Sequence, residues 1–298
     1  IQVMFKDFIK NEKINIFPLF NYHLKLCNEG GRGDCEMAIN LLTFFKKYQK
    51  DNGGDLIPAK WKLDLEILYN KVNIFHQLFI LYFTTGLLSL ILVIIQMFYT
   101  KMWLTNSIKI LKWFIFSGLL LHTLGLIARW MISNHAPWTN GYEAMIYTVW
   151  ATMLAGVFFS KRSPLTLATT TLVSSLLLLF AFISSLDPTI TNVVPVLNSY
   201  WLMIHVSIIV ASYGFLIMGG FLGLLCLFLI IFNNKNQTII NDKIKELTII
   251  NEKSLTIGLF MLSIGTFLGG IWANESWGRY WGWDAKETWA LVSILVYA

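Results

Sequence analysis

The sequence predicts an all-α polytopic membrane protein: about seven transmembrane helices, the last one truncated, and a small soluble segment at the N-terminus. Two observations predict it. Of the 298 residues, 56% are apolar and only 13% charged, with a mean hydropathy of +0.60, far from the balance of a water-soluble domain. Charge is also distributed unevenly, with twenty of the forty Lys, Arg, Asp and Glu side chains in residues 1–72. The rest of the chain is dominated by apolar runs that approach or exceed the roughly 20 residues a bilayer span requires.

Residues 1–72 mix short apolar groups with a glycine-rich turn, C-N-E-G-G-R-G-D-C at 27–35, and a Lys-rich segment from Ala38 to Lys50. In that segment Ile39, Leu42 and Phe45 recur at helical spacing. We read this region as part of a soluble domain. Cys27 and Cys35 either close a small disulfide loop, if they face an oxidising compartment, or remain free thiols. From Asn73 onward, spans are expected at about 73–99, 107–132, 142–159, 165–186, 200–232 and 254–272. A seventh begins at Trp289 and reaches Ala298 after about ten residues, half of what a span needs, so the sequence reads as a piece of a longer chain. The fifth span, about 33 residues long, should project beyond the lipid.

Beyond residue 72, the loops alternate in basic content. One set holds Lys101, Lys109, Lys112, Lys161, Arg162, Lys235, Lys243, Lys245 and Lys253, whereas the opposite set, counting span ends, holds only Arg129, Arg279 and Lys286. The positive-inside rule puts the first set in the cytoplasm. Residues 1–72, the loops at 133–141 and 187–199, and the run from Trp277 to Trp289 are then outside. This topology accounts for the formal charge of +6 without invoking nucleic acid.

The run W-G-R-Y-W-G-W-D-A-K-E-T-W, residues 277–289, is the most unusual stretch. With Trp272, it holds five of the chain's twelve tryptophans. Trp277 and Trp281 would share a helical face, whereas Trp281 and Trp283 alternate as in an extended segment, so the run suits a folded loop or short surface helix. One reading is an interfacial tryptophan belt. A belt needs neither Gly278 and Gly282, which allow close approach, nor the charged set Asp284, Lys286 and Glu287 directly after the rings; an aromatic platform uses both. The five histidines are His23, His76, His122, His135 and His205. His205 lies about a turn into the fifth span from its outer end, level with the tryptophan run, and an intramembrane histidine is a site candidate by default. Asn140 and Glu143, in R-W-M-I-S-N-H-A-P-W-T-N-G-Y-E, suit the start of a helix. No C-x-x-C-H, H-E-x-x-H, phosphate-binding glycine loop or G-x-S-x-G occurs, which removes support for a c-type cytochrome, a hydrolase or a nucleotide-driven machine.

The tryptophan run resembles the WWD signature of the membrane heme-handling proteins that make c-type cytochromes. It matches at Trp277, Gly278, Trp281, Trp283, Asp284, Lys286, Glu287 and Trp289, with Ala285 where many members carry proline. The likeness extends over roughly residues 73–298 and includes the Y-W-L-x-x-H-V context of His205 and the P-W-x-N-x-Y-E segment. It implies a cytochrome c synthase of the fused system II type, with an outer soluble domain (residues 1–72) and a heme-handling membrane domain (73–298) whose WWD loop spans 272–289. Heme b would be the substrate and bound ligand, with His205 as axial ligand to its iron. The partners would be apocytochrome c presenting C-x-x-C-H, the remainder of the same polypeptide or a partner subunit, and membrane lipid, in a bacterial inner membrane with the loop on the periplasmic side. Arg279, Lys286 and Arg129 are candidate propionate partners; His135, His76 and His122 are further heme-ligand candidates. Two rivals remain open: a heme transporter or delivery module that loads a chaperone without forming a bond, and a b-type electron carrier, which would want histidine pairs on facing helices.

Overall fold

The computed structural model describes residues 21–25, 27, 32–52, 58–99, 101–190, 199–233 and 238–298. The glycines of the 27–35 turn at positions 30 and 31, and most of the 187–199 loop, lie outside the described residues. Helices supply all the regular structure among those described: α1 (Arg32–Asn52), α2 (Lys60–Val72), α3 (Ile74–Phe98), α4 (Met102–Ser133), α5 (Gly141–Phe159), α6 (Pro164–Ile183), α7 (Tyr200–Phe232), α8 (Thr238–Trp277) and α9 (Ala285–Tyr297). The chain divides into two compact units, Ile1–Leu63 and Asp64–Ala298. Among the described residues, six helical stretches are long and apolar enough to cross a bilayer, so this is a multi-pass all-α membrane protein. The expected seventh span is α9, whose 13 residues are too few to cross alone.

In the first unit a disulfide joins Cys27 to Cys35, with Cα atoms 4.7 Å apart. The helix expected over 38–50 forms as part of α1, but the buried face differs from the expected one. Ala38 and Leu41 are buried, whereas Ile39 and Leu42 are exposed. Cys35, Ala38 and Leu41 follow one another at intervals of three, so the face carrying the disulfide is also the one that packs.

The second unit is held by the helix pairs α7–α8, α3–α6, α5–α7, α3–α4 and α5–α6. Close approach relies on small residues, as is usual where lipid offers no hydrophobic drive between helices. At Gly86 of α3 a Cβ would lie 2.8 Å from the backbone nitrogen of Leu172 on α6, and at Gly214 of α7 a Cβ would lie 2.7 Å from that of Thr152 on α5. The buried hydroxyls of Thr169, Thr170 and Thr171 on α6 donate to carbonyls one turn back, at 2.7–2.9 Å, so this polar run costs little in an apolar setting. One core centres on Tyr82, Ile146 and Leu178, and a second on Met218, Leu222 and Leu247.

The expected span at 254–272 is only the apolar part of α8, which runs for 40 residues from Thr238. Residues 238–253 carry enough charge to end an apolar run but contain no Gly or Pro, so the helix continues. Leu247 and Ile250 are buried there.

Candidate functional site

The first turn of α3, the C-terminal turns of α4, α6 and α8, and the N-terminal turns of α5, α7 and α9 share one end of the bundle. The tryptophan run is a folded loop at that end. Gly278 stops α8 in a left-handed conformation (φ 70°), its N–H reaching the Asn274 carbonyl at 2.9 Å. Trp283 also has positive φ, 57°. Asp284 then caps α9: its Oδ1 accepts from the Glu287 N–H at 2.8 Å, and the Glu287 carboxylate accepts from the Gly282 N–H at 2.7 Å. These acids, which the sequence presents as part of a charged set beside the rings, close the loop on itself. The side chain of Arg279 packs over Gly282, where a Cβ would lie 3.1 Å from the guanidinium.

Between this loop, the end of α8, the start of α9 and the first turns of α7 lies a cavity of about 520 Å³, lined by His205, Tyr213, Trp272, Trp281, Lys286 and Trp289 among others. The volume falls in the range of small-molecule sites. His205 is 8% exposed, and its Nδ1 lies 2.8 Å from the Trp201 carbonyl. A carbonyl can only accept, so Nδ1 carries the proton and Nε2 keeps its lone pair. That edge of the ring faces Gly269, where a Cβ would come within 3.3 Å of Cδ2 and 3.7 Å of Nε2. The Trp272 ring lies 5.5 Å from the imidazole at 31° and meets Trp277 edge-on at 6.5 Å. The indole N–H groups of Trp272 and Trp281 are buried without an acceptor among the described residues, although buried donors normally find one.

The sequence-derived candidates separate cleanly against this geometry. His205, Trp281, Asp284, Lys286 and Trp289 line the cavity; Trp277, Gly278, Trp283 and Arg279 do not. Trp277 and Trp283 are 61% and 70% exposed, and Trp289, at 69%, lines the cavity from an equally exposed position. Trp272, outside the matched motif, supplies a wall.

None of the other histidines lines the cavity. His122 is fully buried in the bundle, its Nε2 donating to the Ile146 carbonyl at 3.1 Å while its Nδ1 receives the Tyr82 hydroxyl at 3.4 Å. His135 lies in the loop before α5, with Nδ1 3.3 Å from the Thr139 hydroxyl. His76 sits exposed on α3, its ring 5.9 Å from that of Phe182.

Arg129 is not among the residues that line the cavity. It is 1% exposed; Nε bonds the Glu143 carboxylate at 2.9 Å, and the terminal nitrogens reach the Tyr69 hydroxyl (3.4 Å) and the carbonyls of Pro188 (2.9 Å) and Thr189 (3.2 Å). Glu143 in turn completes a capping box with Asn140 at the start of α5 and accepts from the Thr139 hydroxyl at 2.7 Å. Arg129 and Glu143 thus tie α2, α4, α5 and the segment after α6 together. Beside them, the Trp138 N–H donates to the Met203 carbonyl at 3.1 Å and anchors the first turn of α7, which carries His205.

Residues 138–298 match the family model described as cytochrome C assembly protein. The chain belongs to that family. It is 44% identical over 264 residues to protein NrfI of Wolinella succinogenes, an alignment covering 88% of this chain and 29% of NrfI. It is 33% identical over 210 residues to the cytochrome c biogenesis protein CcsA of Prochlorococcus marinus strain MIT 9301, covering 60% of this chain and 67% of that protein. To CcsA of strain SARG it is 32% identical over 249 residues, covering 72% and 78%. The chain therefore spans less than a third of NrfI and about two thirds or more of these CcsA proteins. Its place in cytochrome c biogenesis agrees with the resemblance drawn from the tryptophan run.

Proposed function

We propose that this chain is the heme-handling membrane part of a cytochrome c synthase of the fused type, and that its cavity presents heme b to an apocytochrome c carrying C-x-x-C-H. The observation that carries this reading is the pairing of a single imidazole, its Nδ1 proton already committed, with an aromatic cavity closed by the tryptophan loop. A porphyrin supplies four nitrogens to its iron and asks the protein for axial ligands and flat apolar walls, a demand that His205, Trp272, Trp281 and Trp289 fit. Lys286 and the two indole N–H groups suit the propionates; Arg129, already engaged by four partners, we assign to structure, along with His122.

Heme is the substrate here. The chain's own contribution is to bind and orient it, hold the iron through His205 Nε2 and exclude water along the indole faces. Each thioether forms when a cysteine sulfur of the partner bonds to a vinyl carbon and the thiol hydrogen goes to the neighbouring carbon, an addition with no net change in oxidation state. A module that handed heme to a chaperone would bind it in the same cavity; covalently matured cytochrome c formed by the purified full-length protein separates the two.

Removal of cavity indoles should reduce heme binding selectively. Trp281→Ala with Trp289→Ala forfeits on the order of 1 kcal/mol per ring beyond area burial, roughly a 25-fold weakening for the pair. The co-purifying heme per protein should fall while protein in the membrane stays near normal. The pair Trp277→Ala with Trp283→Ala, neither of which lines the cavity, should keep its heme. Equal heme retention in the two double variants, or parallel loss of heme and protein, would favour an interfacial belt.

We place the loop and residues 1–72 on the periplasmic side of a bacterial inner membrane. The loop asymmetry of Lys and Arg supports this, as does the Cys27–Cys35 disulfide, a bond of oxidising compartments. A membrane-impermeant maleimide should therefore label this pair in spheroplasts only after reductant is added; labelling that requires permeabilised membranes would invert the topology.

A further inference from the structure

A second cavity, of about 280 Å³, lies at the end of the bundle away from the tryptophan loop, between the last turns of α3, the first turns of α4 and the α5–α6 turn. Lys109, Lys112 and Lys161 line it together with apolar side chains such as Val93, Ile115 and Leu167, and among the described residues no Asp or Glu lines it. Lys112 Nζ is 3.5 Å from the Ser160 carbonyl, which holds one ammonium at the cavity edge. Two independent features also favour an anion. The 20-residue helix α6 starts at Pro164, a lining residue, so the positive end of its dipole meets the cavity. Ser89, another lining residue, is 5% exposed, and its hydroxyl is buried with no hydrogen-bond partner among the described residues, a state that buried polar groups seldom keep.

We propose that this cavity binds the phosphate headgroup of an anionic phospholipid, with the three lysines on the phosphate oxygens and the Ser89 hydroxyl donating to the buried part of the headgroup. All three walls belong to helices that cross the membrane or to the turn between two of them, so the surrounding solvent at this depth is lipid, and the apolar floor suits the start of an acyl chain. Basic pockets between membrane helices recognise lipid phosphates in this way. The cavity has roughly half the volume of the tryptophan-lined one, which suits a headgroup better than a second porphyrin. This proposal is independent of the heme reading.

The test is the thermal unfolding midpoint of the detergent-solubilised full-length protein, titrated separately with phosphatidylglycerol, phosphatidylcholine and inorganic phosphate. Phosphatidylglycerol should raise the midpoint saturably and phosphatidylcholine should not. Each lysine neutralised should shift the half-saturating concentration about fivefold, near 1 kcal/mol, and Lys109→Gln, Lys112→Gln and Lys161→Gln together on the order of 100-fold. If the triple variant fails to fold, the exposed Lys109→Gln alone carries the fivefold shift. Lys101→Gln with Arg162→Gln, which removes two basic groups of the same end that do not line the cavity, should respond as wild type. Equal stabilisation by phosphatidylcholine, or an equal loss in the Lys101 and Arg162 pair, would overturn the site. The full increment from inorganic phosphate alone would overturn the lipid assignment and leave a free-anion site.

Discussion

Arg129→Met is expected to lower the stability of the membrane unit by about 3–5 kcal/mol, because it leaves the Glu143 carboxylate buried without its countercharge. The replacement preserves most of the side-chain volume, so the loss comes from the abandoned charge and from the freed carbonyls of Pro188 and Thr189. Adding Glu143→Gln should restore much of the loss. Its amide oxygen can still accept from Thr139 and from the Asn140 backbone at the start of α5, yet it carries no charge into the apolar interior. The measurement is the denaturant or thermal midpoint in detergent for both singles and the double, treated as a cycle. A single-variant cost below about 1 kcal/mol would show an ion pair of surface character.

The helices were legible because lipid imposes a crude rule that apolar runs announce directly. What composition alone could not give was the extension of α8 back to Thr238, where propensity and two buried aliphatic contacts, Leu247 and Ile250, continue a helix that hydropathy had ended. The disulfide was readable as one of two options, because spacing around glycines allows closure without requiring it. At the site, the indole run and His205 stood out through residue types that packing alone seldom clusters. Arg129, a candidate propionate partner by sequence, is a different case. Its partner Glu143 is 14 residues away on another helix, and only the tertiary fold shows that the charge is spent on structure. Asp284 and Glu287 form a D-x-x-E pair with the same capping pattern as Asn140 and Glu143, so their role at the start of α9 follows from local spacing. The separation of Trp272, Trp281 and Trp289, which line the cavity, from Trp277 and Trp283, which do not, depends on the left-handed turns at Gly278 and Trp283, which no helical or extended periodicity describes.

The central claim is that His205 Nε2 holds the heme iron, and the most direct measurement is the reduced absorption spectrum of the co-purified heme in His205→Gly, recorded with and without imidazole alongside cytochrome c maturation in the same strain. Glycine removes the ring while leaving its place in the cavity, and free imidazole is small enough to enter and coordinate the iron. The account predicts a shifted spectrum and lost maturation in the variant, with partial return of both when imidazole is supplied; His23→Gly, which changes a histidine of the other compact unit, should alter neither. Recovery separates ligation from packing, because imidazole replaces a ligand but does not rebuild a helix contact. Wild-type spectrum and wild-type maturation in His205→Gly without imidazole would contradict the account.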